Sequence, residues 1–252
     1  MDSLGRRAEA IVFYRKCLAV REELAGIEPQ ETWWQIGAAV ALIRLGELGD
    51  DPDPRFTRAL AMLEGLDAAG KLPEQRKLWL DRARGKVALI HSRQARAALY
   101  AGDLSLALDE ISIALKLDPS NAYSVLWRHI IRARRGDDDR AELAADAARL
   151  DSAIWPWPVV ALFTGTKTPD LVRADALSGK DDKTRTGQIC EADFYTGMFA
   201  VEKGATEEAR QLLAAALKGC PPDFMEYEGA RQELKRLGFA GADDSGQKTE
   251  NR

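Results

Sequence analysis

The sequence is poor in the side chains from which most enzyme and metal sites are built. Its 252 residues include two histidines and three cysteines. His91 and His129 have no cysteine or carboxylate beside them at metal-ligand spacing, which favours packing roles within helices. Cys17, Cys190 and Cys220 show the spacing of neither a zinc site nor a redox motif, so we expect reduced thiols in the core. We therefore predict no cofactor, no metal and no catalytic residue.

The sequence also lacks an excess of one charge and any long apolar run. Lys and Arg total 36 against 40 Asp and Glu, a net charge of -4, and the cations are scattered. This distribution predicts neither a nucleic-acid surface nor a polybasic membrane patch. The apolar stretches AAVALI and VVALF fall far short of the roughly 20 residues that a membrane helix needs. In MDSLGRRAEAIVFYRKCLAV, Arg and Lys interrupt the apolar residues, so we expect a cytoplasmic protein; a periplasmic location would require an upstream export signal.

What the sequence does contain is a repeat. Gly102 recurs as Gly136 after 34 residues and as Gly204 after 68 more. The same offsets relate Ala107, Ile111, Ala114 and Pro119 to Ala141, Ala145, Ala148 and Ala153, and to Ala209, Leu213, Ala216 and Pro221. A glycine ends one helix in a left-handed turn, small alanines let the next helix approach closely, and a proline ends that helix. The pattern therefore predicts helical hairpins.

A 34-residue helix-turn-helix unit of this kind resembles the tetratricopeptide repeat (TPR). The resemblance implies an all-α fold, a solenoid of helical hairpins in a right-handed superhelix with a C-terminal capping helix. The predicted segments are N-terminal long-helix TPR-like hairpins at 1–87, a TPR array at 88–221 with units 88–121, 122–155, 156–189 (degenerate) and 190–221, a capping helix at 222–238, and a disordered tail at 239–252.

Upstream of the regular array the helical pattern persists without the 34-residue period. The segment ETWWQIGAAVALIRLGELG fits a first helix, and PRFTRALAMLEGLDAAG supplies its partner after the acidic loop GDDPDP. Sustained periodicity from Glu74 to Tyr100 predicts a further helical region, with Gly85 as a point where it breaks in two. The acidic run Asp137 to Asp139 is interpreted as the N-cap of a helix.

The TPR resemblance also implies which side chains face the concave groove that binds partners. These positions are Trp34, Ser92, Arg96, Leu99, Tyr100, Tyr123, Leu126, Trp127, Ile130, Arg134, Phe194, Met198 and Glu202. The wall is aromatic and aliphatic with a few cations, which favours a hydrophobic helix or strand as the ligand. Two alternatives stay open: that helices of the chain itself fill the groove, and that Trp127 belongs to the core.

The C-terminal part, from about Ala88 to Phe239, resembles the NlpI-type bacterial lipoproteins. It shares a Trp-x-Trp with a following aromatic and Gly, an E-x-x-F-Y-x-G that opens the last repeat, and an aromatic with E-Y at the final helix. The matching positions are Trp155, Trp157, Phe163, Gly165, Glu191, Phe194, Tyr195, Gly197, Phe224, Glu226 and Tyr227. That family consists of homodimeric adaptors that hold a periplasmic protease near its cell-wall-hydrolase substrate. The resemblance thus implies scaffolding and self-association as a homodimer.

Together these patterns predict a non-catalytic adaptor that binds a peptide or helix of a partner protein, with no nucleic acid and no membrane span. One alternative is an oligomerisation or regulatory module related to a larger, peptidase-linked repeat protein. Another is an enzyme that uses Cys190 or the histidines.

Overall fold

The computed structural model describes residues 3–239, which form α-helices and one 3-10 turn with no strand. The all-α class is thereby confirmed, and the predicted tail lies, apart from Phe239, outside the described residues. The helices are α1 (Ser3–Ile27), α2 (Thr32–Glu47), α3 (Pro52–Ala68), α4 (Lys77–Ala101), α5 (Leu104–Leu117), α6 (Ala122–Arg135), α7 (Arg140–Ala147), α8 (Trp157–Phe163), α9 (Pro169–Leu177), α10 (Asp182–Glu202), α11 (Thr206–Gly219) and α12 (Met225–Arg236).

Three helix boundaries differ from those predicted. α4 runs through Gly85 without a break, because Ala83 and Val87 on either side are buried and hold the helix in place. The prolines of GDDPDP lie in the first turn of α3, where a missing N–H costs nothing. α10 begins at Asp182, well before the predicted unit boundary, since the side chain of Asp181 caps it by accepting from the backbone N–H of Thr184.

The chain divides into two compact units. The first comprises the residues up to Ala95 together with Asp109–Pro119. In this unit α2 packs against both α1 and α3, and its residues Leu42 and Ile43 lie in the core. Gly37 on α2 allows a close approach, since Nη1 of Arg21 donates to its carbonyl oxygen at 2.6 Å.

The second unit comprises Arg96–Leu108 and the residues from Ser120 onward. α10 packs against α6, α8, α9, α11 and α12, so it is the central helix of this unit. Gly197 lets α11 approach closely, because a Cβ at this position would lie 2.9 Å from Cγ of Leu213. The small residues of α11 that the repeat pattern predicts at this contact, Ala209 and Ala216, are buried as well.

A disulfide joins Cys190 on α10 to Cys220, the residue after α11. The expectation of reduced thiols is wrong for this pair, whereas Cys17 is a free, half-buried thiol. The two cysteines are 30 positions apart, so no local spacing in the sequence revealed the pairing. The packing of α10 on α11 brings their sulfur atoms together.

The three repeated glycines all adopt the left-handed conformation. The φ angles of Gly102, Gly136 and Gly204 are +86°, +80° and +72°, and each glycine lies at or just after the end of a helix. This is the conformation in which an L side chain is strained. The glycine positions of the repeat are confirmed.

The alanine positions hold in two of the three repeats. α5 and α11 each begin two residues after their glycine, and Ala107 and Ala209 are fully buried. α7 begins four residues after its glycine, so Ala141, like Ala145 and Ala148, is exposed. The buried position is taken by Leu143, two residues further on. The predicted equivalence of Ala141 is therefore wrong because the turn before α7 is longer.

None of the described helices combines the length and the apolar character needed to cross a membrane.

Candidate functional site

Most side chains predicted to face a groove are buried. The buried ones are Ser92, Leu99, Leu126, Trp127, Ile130, Phe194 and Met198. Trp34, Arg96, Tyr100, Tyr123 and Arg134 are half-buried, and Glu202 is exposed. A partner therefore cannot reach the first set in this conformation, and the predicted open wall is not present at those positions.

Helix α12 covers part of this face in the second unit. The indole N–H of Trp127 lies 3.4 Å from the sulfur of Met225 at the start of α12. Gly229 lies so close that a Cβ there would be 2.7 Å from the ring of Phe194 and 3.1 Å from the hydroxyl of Tyr100. Trp127 also makes an edge contact with the Tyr195 ring at 6.4 Å. These contacts support the alternative interpretation, in which a terminal helix fills the groove and Trp127 is core.

Two cavities of the second unit share Arg134 and Arg236. The larger has a volume of about 460 Å³ and is also lined by Leu99, Tyr100, Ala101, Gly102, Leu104, Gln232 and Lys235. The smaller, of about 240 Å³, is also lined by Ile130, Ala133, Phe163, Met198, Val201 and Glu202. The predicted residues Tyr100, Ile130 and Met198 therefore line two cavities that have Arg134 in common.

The remaining predicted residues lie elsewhere. Trp34 and Ser92 belong to the first unit, where the indole N–H of Trp34 donates to Glu28 at 2.8 Å. In the second unit the guanidinium of Arg96 lies 5.6 Å from the ring centre of Trp127, and the hydroxyl of Tyr123 donates to the carboxylate of Glu191.

A buried carboxylate fixes the two shared arginines. Glu233 on α12 has no exposed surface, and Arg134 donates to its Oε1 while Nε of Arg236 donates to its Oε2 at 2.9 Å. One negative charge therefore faces two cations, and the exposed ammonium of Lys235 adds a third beside the larger cavity. The net positive wall, with guanidinium groups already oriented, suits a carboxylate ligand.

Tyr100 adds an unused donor to this region. Its hydroxyl is buried and has no hydrogen-bond partner among the described residues. Burial, reinforced by the charge of Glu233, raises the pKa of Tyr100 well above its usual value, so the group stays protonated. Leaving such a hydroxyl unpaired costs free energy that a bound acceptor can recover.

Sequence reasoning missed the contribution of α12. Gln232, Lys235 and Arg236 lie in the segment predicted only to cap the array. The signal that could have found them is the basic last turn of α12, directly after Glu233. The basic last turn of α12 thus lies beside the larger cavity.

His129 is a charged, hydrogen-bonded residue and not only a packing residue. Its Nδ1 lies 2.9 Å from Oδ1 of Asp139, and its Nε2 lies 3.0 Å from Oε2 of Glu202. Burial alone would lower the pKa of His129, but the hydrogen bonds to both carboxylates outweigh it and raise the pKa to about 9. The hydrogen bond from His129 in turn lowers the pKa of Glu202 to about 2. Asp139 and Glu202 are 10 and 73 positions from His129 in the sequence, so neither lies at metal-ligand spacing beside it.

This arrangement also corrects the interpretation of the acidic run before α7. Asp139 occupies the N-cap position, yet its side chain makes no capping bond because it is turned towards His129. Asp138 instead accepts from the backbone N–H of Arg140 at 3.2 Å. The run therefore both starts α7 and neutralises a buried imidazolium.

A second buried group joins residues on which the NlpI-type resemblance rests. Glu191 accepts from the hydroxyl of Tyr123 at 2.8 Å and from the indole N–H of Trp155 at 2.7 Å. Glu226 accepts from the hydroxyl of Tyr195 at 3.3 Å. Burial raises the pKa of Glu191, and burial together with the nearby charge of Glu191 raises the pKa of Glu226 to about 7. These residues therefore hold helices together by buried polar contacts.

The geometry at Arg134 and Arg236 is suited to recognition: oriented cations beside cavities with partly apolar walls. No family model matches the chain. The two family resemblances accordingly rest on the residues quoted for them.

Proposed function

We propose that this protein is a non-catalytic interaction scaffold of the TPR type, which binds a peptide segment of a partner protein at the two cavities around Arg134. The observation that carries the proposal is the convergence there of predicted groove residues with the cationic end of α12. The left-handed glycines and the packed α10 and α11 pair support the TPR assignment. In this proposal the helix pairs form a right-handed superhelix and α12 is its cap.

The ligand that fits is a short segment with a carboxylate beside an apolar side chain. Because α12 already occupies the deep part of the face, a whole helix has no free groove in this unit. Cavities of about 240 and 460 Å³ are of the size that accommodates side chains and short peptides. Arg134 and Arg236 would hold the carboxylate, and the half-buried Phe163 and Val201 of the smaller cavity offer apolar contact.

The test uses a charge reversal that leaves the buried ion pairs intact. Substituting Arg134 or Arg236 would leave Glu233 buried with one partner fewer, so loss of binding would be confounded by unfolding. Lys235 is exposed and lines only the larger of these cavities. Lys235→Glu is therefore the informative change, and Lys218→Glu, on the exposed surface of α11, is its matched control.

Ligands would be selected from a random short-peptide library on the full chain and measured by fluorescence anisotropy. We expect selected peptides to carry Asp or Glu next to apolar residues and to lose roughly tenfold in affinity for Lys235→Glu, with Lys218→Glu unchanged. A library that yields no binder, or peptides that bind all three proteins equally, would overturn the proposal.

The disulfide indicates the kind of cellular compartment in which such a scaffold works. Bonds of this kind persist in oxidising compartments and are rare where thiols are kept reduced. Cys190 and Cys220 therefore favour an oxidising location over the cytoplasmic one expected from the sequence. An adaptor in such a compartment agrees with the NlpI-type resemblance, and supports it as part of the proposal.

A further inference from the structure

Helix α1 carries apolar side chains on two different faces. One face packs against the core of the first unit through Ile11, Tyr14 and Leu18. The other consists of Ala10, Phe13, Cys17, Val20, Leu24 and Ile27, which we call the α1 seam. Phe13, Val20 and Ile27 in this seam are 61 %, 54 % and 68 % exposed.

The seam has the spacing of a coiled coil. Its members alternate in steps of three and four residues, which places Ala10, Cys17 and Leu24 at a positions and Phe13, Val20 and Ile27 at d positions. A helix needs no such stripe on its solvent side to remain helical. The spacing indicates that another helix packs against α1.

The α1 seam is complementary to itself when reversed. In an antiparallel pair Ala10 faces Ile27 of the second copy, Phe13 faces Leu24, and Cys17 faces Val20. Every seam residue then meets another seam residue, and the smallest side chain lies opposite a large one. A two-fold symmetric interface requires this kind of self-matching.

The flanking charges select the antiparallel direction. Lys16 and Glu23 are exposed on the same flank of the seam. In the antiparallel register each Lys16 lies beside Glu23 of the second copy, which gives two attractive pairs. In a parallel pair Lys16 would lie beside Arg21, and Glu23 beside Glu28, both repulsive. Within one helix Lys16 and Glu23 are too far apart to pair.

We propose that two copies of this protein associate through the α1 seam as an antiparallel helix pair. The interface uses residues of the first unit alone. It is therefore independent of peptide binding around Arg134, and either proposal can fail without the other.

Charge reversal tests both the dimer and its direction. Sedimentation velocity of the full chain in low salt should show a dimer in the micromolar range. Lys16→Glu should raise the dissociation constant of the dimer by roughly fivefold to thirtyfold, because two attractive pairs become repulsive. The double variant Lys16→Glu with Glu23→Lys should restore the original dissociation constant. A mixture of Lys16→Glu with Glu23→Lys proteins should form heterodimers. In a parallel dimer the same substitution would have the opposite effect, since the glutamate at position 16 would attract Arg21 and strengthen the dimer.

A cross-link measures the register directly. With Val20→Cys, mild oxidation should join Cys17 of one copy to position 20 of the other, and mass spectrometry of the linked peptides would identify the bond. Val20→Asp should leave a folded monomer by circular dichroism. A wild-type chain that stays monomeric at high concentration, a double variant as weak as the single ones, or cross-links only between the two Cys17 residues would each overturn the proposal.

Discussion

Asp139 accepts hydrogen bonds from Nδ1 of His129 with both carboxylate oxygens, at 2.9 and 3.0 Å. This pairing ties the turn before α7 to α6. Asp139 is the N-cap residue of α7, but its side chain makes no capping hydrogen bond to that helix. The buried charge pair thus lies in the turn after which α7 begins, four residues after Gly136.

The pKa of His129 is the first quantity to measure. Its elevation to about 9 from 6.5 means that the interaction stabilises the fold fully below about pH 6.5 and is lost as the pH rises through 9. Imidazole NMR should show one proton titrating near pH 9, and a His91→Gln variant would assign it. Asp139→Asn should lower that midpoint, because the charged hydrogen bond is lost. A midpoint near 6.5 for the single histidine of the His91→Gln variant would contradict the arrangement.

Glu226 gives a second dependence on pH. Its pKa is raised from 4.5 to about 7, so the neutral carboxyl is favoured in the fold, and stability falls as the pH rises from about 4.5 through 7. Glu226→Gln keeps the size and the acceptor but cannot ionise. In denaturant unfolding we expect this variant to have a free energy of unfolding about 2 to 4 kcal/mol higher than the unmodified chain at pH 8, and little changed at pH 5. A variant that is less stable at pH 8 would show that the charged carboxylate is needed.

Two helical glycines should respond in opposite ways to the same substitution. Gly85 on α4 has open space where a Cβ would lie, whereas Gly229 on α12 abuts the ring of Phe194. Gly85→Ala should stabilise by about 0.5 to 1 kcal/mol through the loss of backbone freedom in the unfolded chain. Gly229→Ala should cost about 1 to 3 kcal/mol because the buried ring must move. Thermal unfolding of both variants decides this, and equal shifts would refute the close contact.

The disulfide predicts the number of reactive thiols. The folded, non-reduced chain should offer one thiol, Cys17, to a thiol reagent, and the reduced, unfolded chain should offer three. Cys190→Ala should destabilise by about 3 to 4 kcal/mol, as the loss of a cross-link of this loop length does. The control is Cys17→Ala, which should retain the unfolding midpoint to within a few degrees. Three reactive thiols in the native chain would contradict the bond.

The helical class and the glycine turns could be predicted because both depend on local chemistry. A left-handed turn favours glycine wherever it occurs, so the 34-residue recurrence of Gly102 is visible in the sequence alone. The predicted burial of Ala141 was wrong because α7 begins two residues later after its glycine than α5 and α11 do. That turn holds Asp139 against His129 of α6, a tertiary contact that a fixed sequence period does not reveal.

The candidate site was likewise predictable only where local sequence pattern decides the outcome. The sequence pattern predicted Tyr100 and Arg134 as surface contacts, and both line a cavity. It could not predict that α12 covers Trp127 and Phe194, since which helix packs on a face is set by the whole unit. Arg236 and Lys235 were missed for the same reason.

The bond between Cys190 and Cys220 encloses the whole of α11 in a covalent loop. A protease that cut the chain once between these two cysteines would leave both fragments attached to each other. Such a nicked molecule would keep α10 joined to the segment that carries α12, and it would migrate as an intact chain until reduced. Proteolytic trimming of this part of the protein is therefore visible only after reduction.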